Sequence, residues 1–459
     1  MAVNDSSVRP ATPVKLPLGR LPRVRLWSFL LFAGALLLDY SGFAQTTGRA
    51  VRHVRVEEED PSWPPELTQA ESAIEKRDYA AAEPLLRKVV ERDPANYLAW
   101  YDLGFVSNAL GKTDDSIVAY RKSVAAKPDV FESNLNLGLM LAKTGQPGAD
   151  QFLRAATTLR PSSNLQEGRA RAWLSLAHVL EASKPDEAIE AYHQASQLQP
   201  KDVEPHLAAA PLLEKENRFA DAEAEYKAAL ILDPNSPDAL AGLANLYMRG
   251  HRFTDAEAVL RKLVVLRPDD PATHMQLGRM LAASGQPNDA VLELQAALKL
   301  DPGDAAVQRD LVDVYVEGGK YADAEVQCRA LLAGKPNDPE LHLLLGQILL
   351  KEAKFPEAEQ ELLATVNLKP DSGQAYSDLA AAANENKNYE LVIQALAARA
   401  RFLPEIPGSY FLRATAYDHL RQNKLAAQNY HRFLEVAGGQ FPDQEWQARH
   451  RLIALEPKK

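Results

Sequence analysis

Residues 267–278 read RPDDPATHMQLG, which places Asp269 and Asp270 close to His274. Paired carboxylates beside an imidazole are the ingredients of a metal site or of an acid–base pair. Similar ingredients recur at Asp114–Asp115, in the Glu57–Glu59 run, and at His206, His274 and His342, which are spaced 68 residues apart. The single cysteine, Cys328, excludes an intramolecular disulfide or a cysteine metal cluster and reads as a small buried helix residue. No GxxxxGK phosphate loop, HExxH or GxSxG motif occurs. Whether the carboxylates and histidines can act together depends on the elements that carry them.

Those elements are helical. Hydrophobic residues make up 46% of the 459, charged residues 25% and aromatics only 7%. Ala and Leu dominate, and β-branched runs are few. A net charge of -10 argues against a general nucleic-acid binder. At the N-terminus, Arg20, Arg23 and Arg25 precede the apolar run Leu26–Leu38 and the small residues Gly42 and Ala44. This is the layout of a signal peptide over 1–44. The alternative is an inner-membrane anchor through residues 26–44, although the run is short of the roughly 20 residues a span needs. Residues 45–62 are polar, with a basic half and then an acidic half. They are expected to form a linker, with His53 a solvated tail residue.

From Pro94 to Pro404, ten prolines end apolar runs, and the last six intervals between them are all 34 residues. Inside each period the apolar pattern switches on twice. In 237–270, Leu240, Leu243, Ala244 and Tyr247 mark a first helix, and Ala256, Leu260, Leu263 and Leu266 a second. Gly250 is expected to break the first helix, and Pro268 to end the second. The interval ending at Pro200 is five residues too long, which is expected to lengthen the loop at SSNLQEGRA before Trp173. Each period is thus a helix–turn–helix.

The period, the small residue at position eight (Gly104, Gly138, Ala244, Gly278, Gly346, Ala380) and the alanine at position twenty (Ala82, Ala222, Ala256, Ala290, Ala324, Ala358) resemble the tetratricopeptide repeat. So do the terminal proline and the W-x-x-L-G at Trp100, Leu103 and Gly104. The resemblance covers about residues 63–440. It implies an all-α, right-handed α-solenoid (superhelix) of about eleven units, with a C-terminal capping helix and tail over 441–459. On this frame Asp269–Asp270 is a junction whose carboxylates cap the next helix. The three histidines sit at position four of alternate units, on the order of 20 Å apart, so they cannot share an ion and are expected to pack. No cofactor and no metal site is expected.

What the resemblance leaves is binding. The family lines its concave groove from positions 2, 5, 6, 9, 12 and 13, which here include Asp102, Asn108, Asn136, Lys143, Arg171, His178, Asp310, Lys351, Asp378 and Asn384. The partner-binding residues favoured are Asn245, Arg249, Gln276, Arg279, Arg309, Asp313 and Gln347, because amides and guanidinia pair with an extended backbone or with carboxylates. The expected function is a non-enzymatic scaffold in the periplasm, secreted or otherwise in the cell envelope, that docks a protein or peptide segment. The alternative is an accessory or regulatory subunit of an envelope enzyme or of a secretion or polysaccharide-synthesis complex.

Overall fold

A computed structural model describes residues 51–56 and 63–456. The expected export segment, 1–44, lies outside the described residues, as do 45–50 and 57–62 of the expected linker. The described residues fall into two compact units, one ending at Leu212 and the other running from Leu213. The first holds α1 (Pro65–Glu75), α2 (Tyr79–Arg92), α3 (Tyr97–Ala109), α4 (Thr113–Ala126), α5 (Phe131–Lys143), α6 (Ala149–Thr158), α7 (Leu165–Leu180), α8 (Pro185–Leu198) and most of α9 (Glu204–Lys215). The second holds α10 (Phe219–Leu232), α11 (Pro237–Arg249), α12 (Phe253–Leu266), α13 (Pro271–Ala283), α14 (Pro287–Leu300), α15 (Ala305–Glu317) and α16 (Tyr321–Gly334). It continues with α17 (Pro339–Lys351), α18 (Phe355–Leu368), α19 (Gly373–Glu385), α20 (Tyr389–Arg399), α21 (Pro407–His419), α22 (Asn423–Ala437) and the terminal α23 (Pro442–Leu455). Within each unit, helices pack in chain order as α-solenoid pairs, and no strand occurs among the described residues.

The small residue at position eight is a packing requirement. A Cβ added at Gly104 would stand 2.7 Å from the Tyr120 ring, and one at Gly278 or Gly346 2.7 Å from Leu294 or Leu362. Those partners come from the second helix of the same pair and are wholly buried. All six position-twenty alanines are 0% exposed, so the second helix presents no bulk where it crosses the first.

A second device recurs at position four. Trp100, Asn134, His274, Gln308 and His342 each place a side-chain nitrogen 2.8–3.3 Å from the carbonyl of the proline six residues earlier. The proline that ends one helix thereby has its own carbonyl held by the next. His274 and His342 therefore pack, as expected. His274 and His342 also bond Glu293 at 2.7 Å and Glu361 at 2.6 Å on the following helix. Asp270 caps α13 through the Ala272 N–H at 3.1 Å, so the carboxylate of RPDDP is architecture.

One expectation needs correction. The extra residues before Trp173 mostly lengthen a helix rather than a loop: α7 has 16 residues where α11 and α13 have 13. Its added turn is held by Arg169, which donates to the Thr157 carbonyl at the end of α6. Gly250 ends α11 as expected, at φ −82°, and the left-handed residue of the turn is the one after it. This is His251, at φ 55°. The equivalent position is left-handed in ten turns, as Gly111, Gly145, Gly285 and Gly319 but also as Arg77, Asn217, His251, Ala353, Lys387 and Arg421.

Two substitutions with opposite signs follow. Gly104→Ala should destabilise the first unit by about 1–3 kcal/mol, since the buried Tyr120 ring has nowhere to move. Ala353→Gly should stabilise the second by about 1 kcal/mol, by relieving an exposed left-handed alanine. Urea titration followed by circular dichroism measures both.

Candidate functional site

The residues favoured from sequence lie on the first helices of the second unit, but most are already engaged. The Arg279 Nε donates to Asp310 at 2.5 Å and the Gln347 amide to Asp378 at 2.8 Å, each tying one first helix to the next. Arg309 donates to Asp313 at 3.3 Å within α15. The Arg249 guanidinium lies over the Phe219 ring at 4.4 Å, with Glu214 at 3.6 Å. Burial raises the carboxyls of Asp310, Asp313 and Asp378, and these cationic or amide partners pull them back. Of the seven favoured residues, only Asn245 and Gln276 hold neither a side-chain hydrogen bond, an ion pair nor a ring contact among the described residues.

The first unit holds something else. Residues 51–56, expected to be linker, lie without helix against the first helices of its four pairs. The Arg52 carbonyl accepts from Asn136 of α5 at 3.3 Å, and its guanidinium faces Glu167 of α7 at 3.7 Å. The Val54 N–H donates to the Tyr101 hydroxyl of α3 at 3.1 Å, and that hydroxyl donates back to the Val54 carbonyl at 3.2 Å. Arg55 approaches Glu75 of α1 at 3.5 Å and Glu71 at 3.9 Å. Val51 and Val56 pack on the apolar core of α1 to α5. The segment therefore crosses the helices in the reverse of their chain order, with its backbone read by Tyr101 and Asn136.

His53 is the centre of this contact, which corrects its reading as a solvated tail residue. Its side chain is 17% exposed and donates through Nε2 to Asp102 Oδ1 at 2.9 Å. Its ring lies 5.0 Å from that of Phe105 and stacks 5.9 Å from that of Tyr101. Beneath it, Glu71 and Asp102 are 2% and 0% exposed. Burial, then the charge of Asp102, pushes the Glu71 carboxyl up to about 7. Burial likewise pushes Asp102 up to about 7 and lowers His53. Burial also lowers the Arg171 guanidinium to about 10, with Arg52 adding to the effect. The face can thus grip an extended backbone while offering an acidic socket to an imidazole or a cation.

Three residues of this face, Asp102, Asn136 and Arg171, were among the groove positions the repeat resemblance implied. Glu71 was missed because the first repeat, with its SWPPEL start, is weak in sequence. Tyr101 occupies position five of its unit, a groove position of the family, but as a tyrosine beside Asp102 it was passed over; His53, in the expected linker, carried no sequence signal of its own.

Tyr101→Phe removes both hydrogen bonds to Val54 at constant shape. Exchange of the Val54 amide, followed by mass spectrometry, should accelerate by about tenfold or more, given roughly 1 kcal/mol for each bond. Amides within α3 and α4 should keep their protection.

Two family models described as tetratricopeptide repeat match the chain, one over residues 67–129 and the other over 213–279, 281–348 and 316–383, together just over half its length. Tetratricopeptide repeat protein 37 of Xenopus laevis is 31% identical over 80 residues, which is 17% of this chain and only 5% of that relative. Among solved structures, YrrB, a TPR protein with an unusual peptide-binding site, is 24% identical, with 41% of this chain and 96% of that one covered and a TM-score of 0.37. Yeast Tom70 is 14% identical, with 85% and 95% covered and a TM-score of 0.31. With the period, the position-eight contacts and the family models in agreement, the chain belongs to the tetratricopeptide-repeat proteins.

Proposed function

We propose that this protein is a non-enzymatic scaffold of the cell envelope that docks an extended segment of a partner protein on the first helices of its N-terminal unit. The observation that carries the reading is the occupancy of that face by residues 51–56. An extended backbone is held there by Tyr101 and Asn136, and a side chain is received by Glu71 and Asp102. Repeat proteins of this family bind protein or peptide partners through such faces. The resident segment is then a competitor, and a partner segment of similar chemistry displaces it: extended, with small apolar residues flanking an imidazole or a cation. The envelope assignment draws on the layout of residues 1–44 alone.

The test uses the full chain. Val54→Pro removes the N–H that Tyr101 accepts and loosens the resident segment. A labelled peptide of residues 49–58, added in trans, should bind the variant about 10- to 100-fold more tightly than the wild type, as expected where the resident occupant fills the face about 90–99% of the time. Fluorescence anisotropy reads this, and Asp102→Lys on the same background should abolish it. Equal, weak binding to all three proteins would contradict the reading.

A further inference from the structure

The hydrogen bonds that seat residues 51–56 leave one part of the face unexplained. Glu71 Oε1 and Oε2 and Asp102 Oδ2 have no hydrogen-bond partner among the described residues, on side chains only 2% and 0% exposed. Two buried carboxylates side by side with open lone pairs are costly unless something takes those lone pairs. Arg55 compensates only in part: its Nε is 3.9 Å from Glu71 Oε2, beyond a hydrogen bond, and its side chain is 40% exposed. One donor atom from each of His53, Glu71 and Asp102 lies within 4.8 Å of the other two.

We infer that His53, Glu71 and Asp102 form a binding site for one divalent transition-metal cation of the zinc or manganese kind, which pins residues 51–56 to α1 and α3. The charge balances, because two almost wholly buried carboxylates and a dication sum to zero. The donor set suits it: one imidazole and two carboxylates match borderline divalent ions, whereas Ca2+ and Mg2+ favour all-oxygen shells. The geometry is close. Zinc holds N and O donors at about 2.0–2.2 Å, so ligand atoms stand roughly 3–3.4 Å apart. His53 Nε2 and Asp102 Oδ1 are already 2.9 Å apart. From within 4.8 Å, the Glu71 carboxylate has to swing inward by at most about 1.5–2 Å to complete the triad at such distances. On binding, the imidazole proton resides on Nδ1 and Nε2 offers its lone pair to the ion. Three protein ligands leave a position for water or for a carboxylate of an incoming partner. The sequence held no cue, because His53 and Asp102 lie 49 residues apart outside any ligand motif.

The full chain, stripped with a chelator, is titrated with Zn2+ and separately with Mn2+ by calorimetry, and its melting temperature is followed with and without each ion. One equivalent should bind and raise the melting temperature. His53→Ala, Glu71→Gln and Asp102→Asn should each weaken that site by at least about 10- to 100-fold, the loss that even an outer partner of a metal ligand causes when removed. The two amide variants should fold at least as well as the wild type without metal, since each removes a buried charge; this separates lost ligation from lost folding. Co2+ substitution should give the visible bands of nitrogen and oxygen coordination, absent in Asp102→Asn. No stoichiometric binding, or binding that survives all three substitutions, as adventitious uptake by exposed histidines such as His431 would, overturns the inference and leaves a shared proton between Glu71 and Asp102. Tighter binding of Ca2+ than of Zn2+ would overturn the assigned class.

Discussion

The near-contact of the two helices in each pair is the constraint on which the rest depends. Where Gly104 meets Tyr120, or Gly278 meets Leu294, there is no room for a single methyl group. That closeness sets the angle between first and second helices. It in turn fixes how successive first helices line up, so that a position-four nitrogen reaches the proline carbonyl of the preceding turn. With first helices held in register, side chains far apart in sequence share a face. Tyr101 and Asp102 of α3 and Asn136 of α5 then form a continuous surface with Glu71 of α1, although they come from three different repeats. In the second unit the same register is used for cohesion instead, through Arg279–Asp310 and Gln347–Asp378.

This difference between the units explains which functional residues were legible. The repeat was plain in sequence because packing imposes it on every copy: small residues at position eight, alanine at position twenty, proline at the end. The position-fifteen turn was less so, since the left-handed residue is glycine in some turns and His251, Ala353 or Arg421 in others. The cooperative fold holds those residues in a conformation they disfavour by about 1 kcal/mol or more. The length of α7 was misjudged for a similar reason, because its added turn is stabilised by a contact to α6 that local propensity does not contain.

The site was legible only in its family positions. Choosing amides and arginines by chemical type led to the second unit, where most of those groups are spent on their neighbours. Their partners, Asp310 and Asp378, sit 31 residues on, a spacing with meaning only once the helices are stacked. Residues 51–56 read as a charged tail because RHVR dominates the eye. In the folded chain, their valines supply apolar anchors and their backbone supplies hydrogen bonds. The buried Glu71–Asp102 pair costs stability by itself, and what offsets it must come from the segment laid over it and from what that segment brings.

The central claim is that residues 51–56 are held on the first unit in the native protein. It is tested most directly by timed tryptic digestion of the native full chain against the urea-unfolded chain, with cleavage sites assigned by mass spectrometry. Arg52 and Arg55 both lie within the segment. If the segment is held, the bonds after Arg52 and Arg55 should be cut at least about tenfold more slowly in the native chain, because cleavage must wait for local opening. Cleavage at both bonds as fast as in the unfolded chain would contradict it.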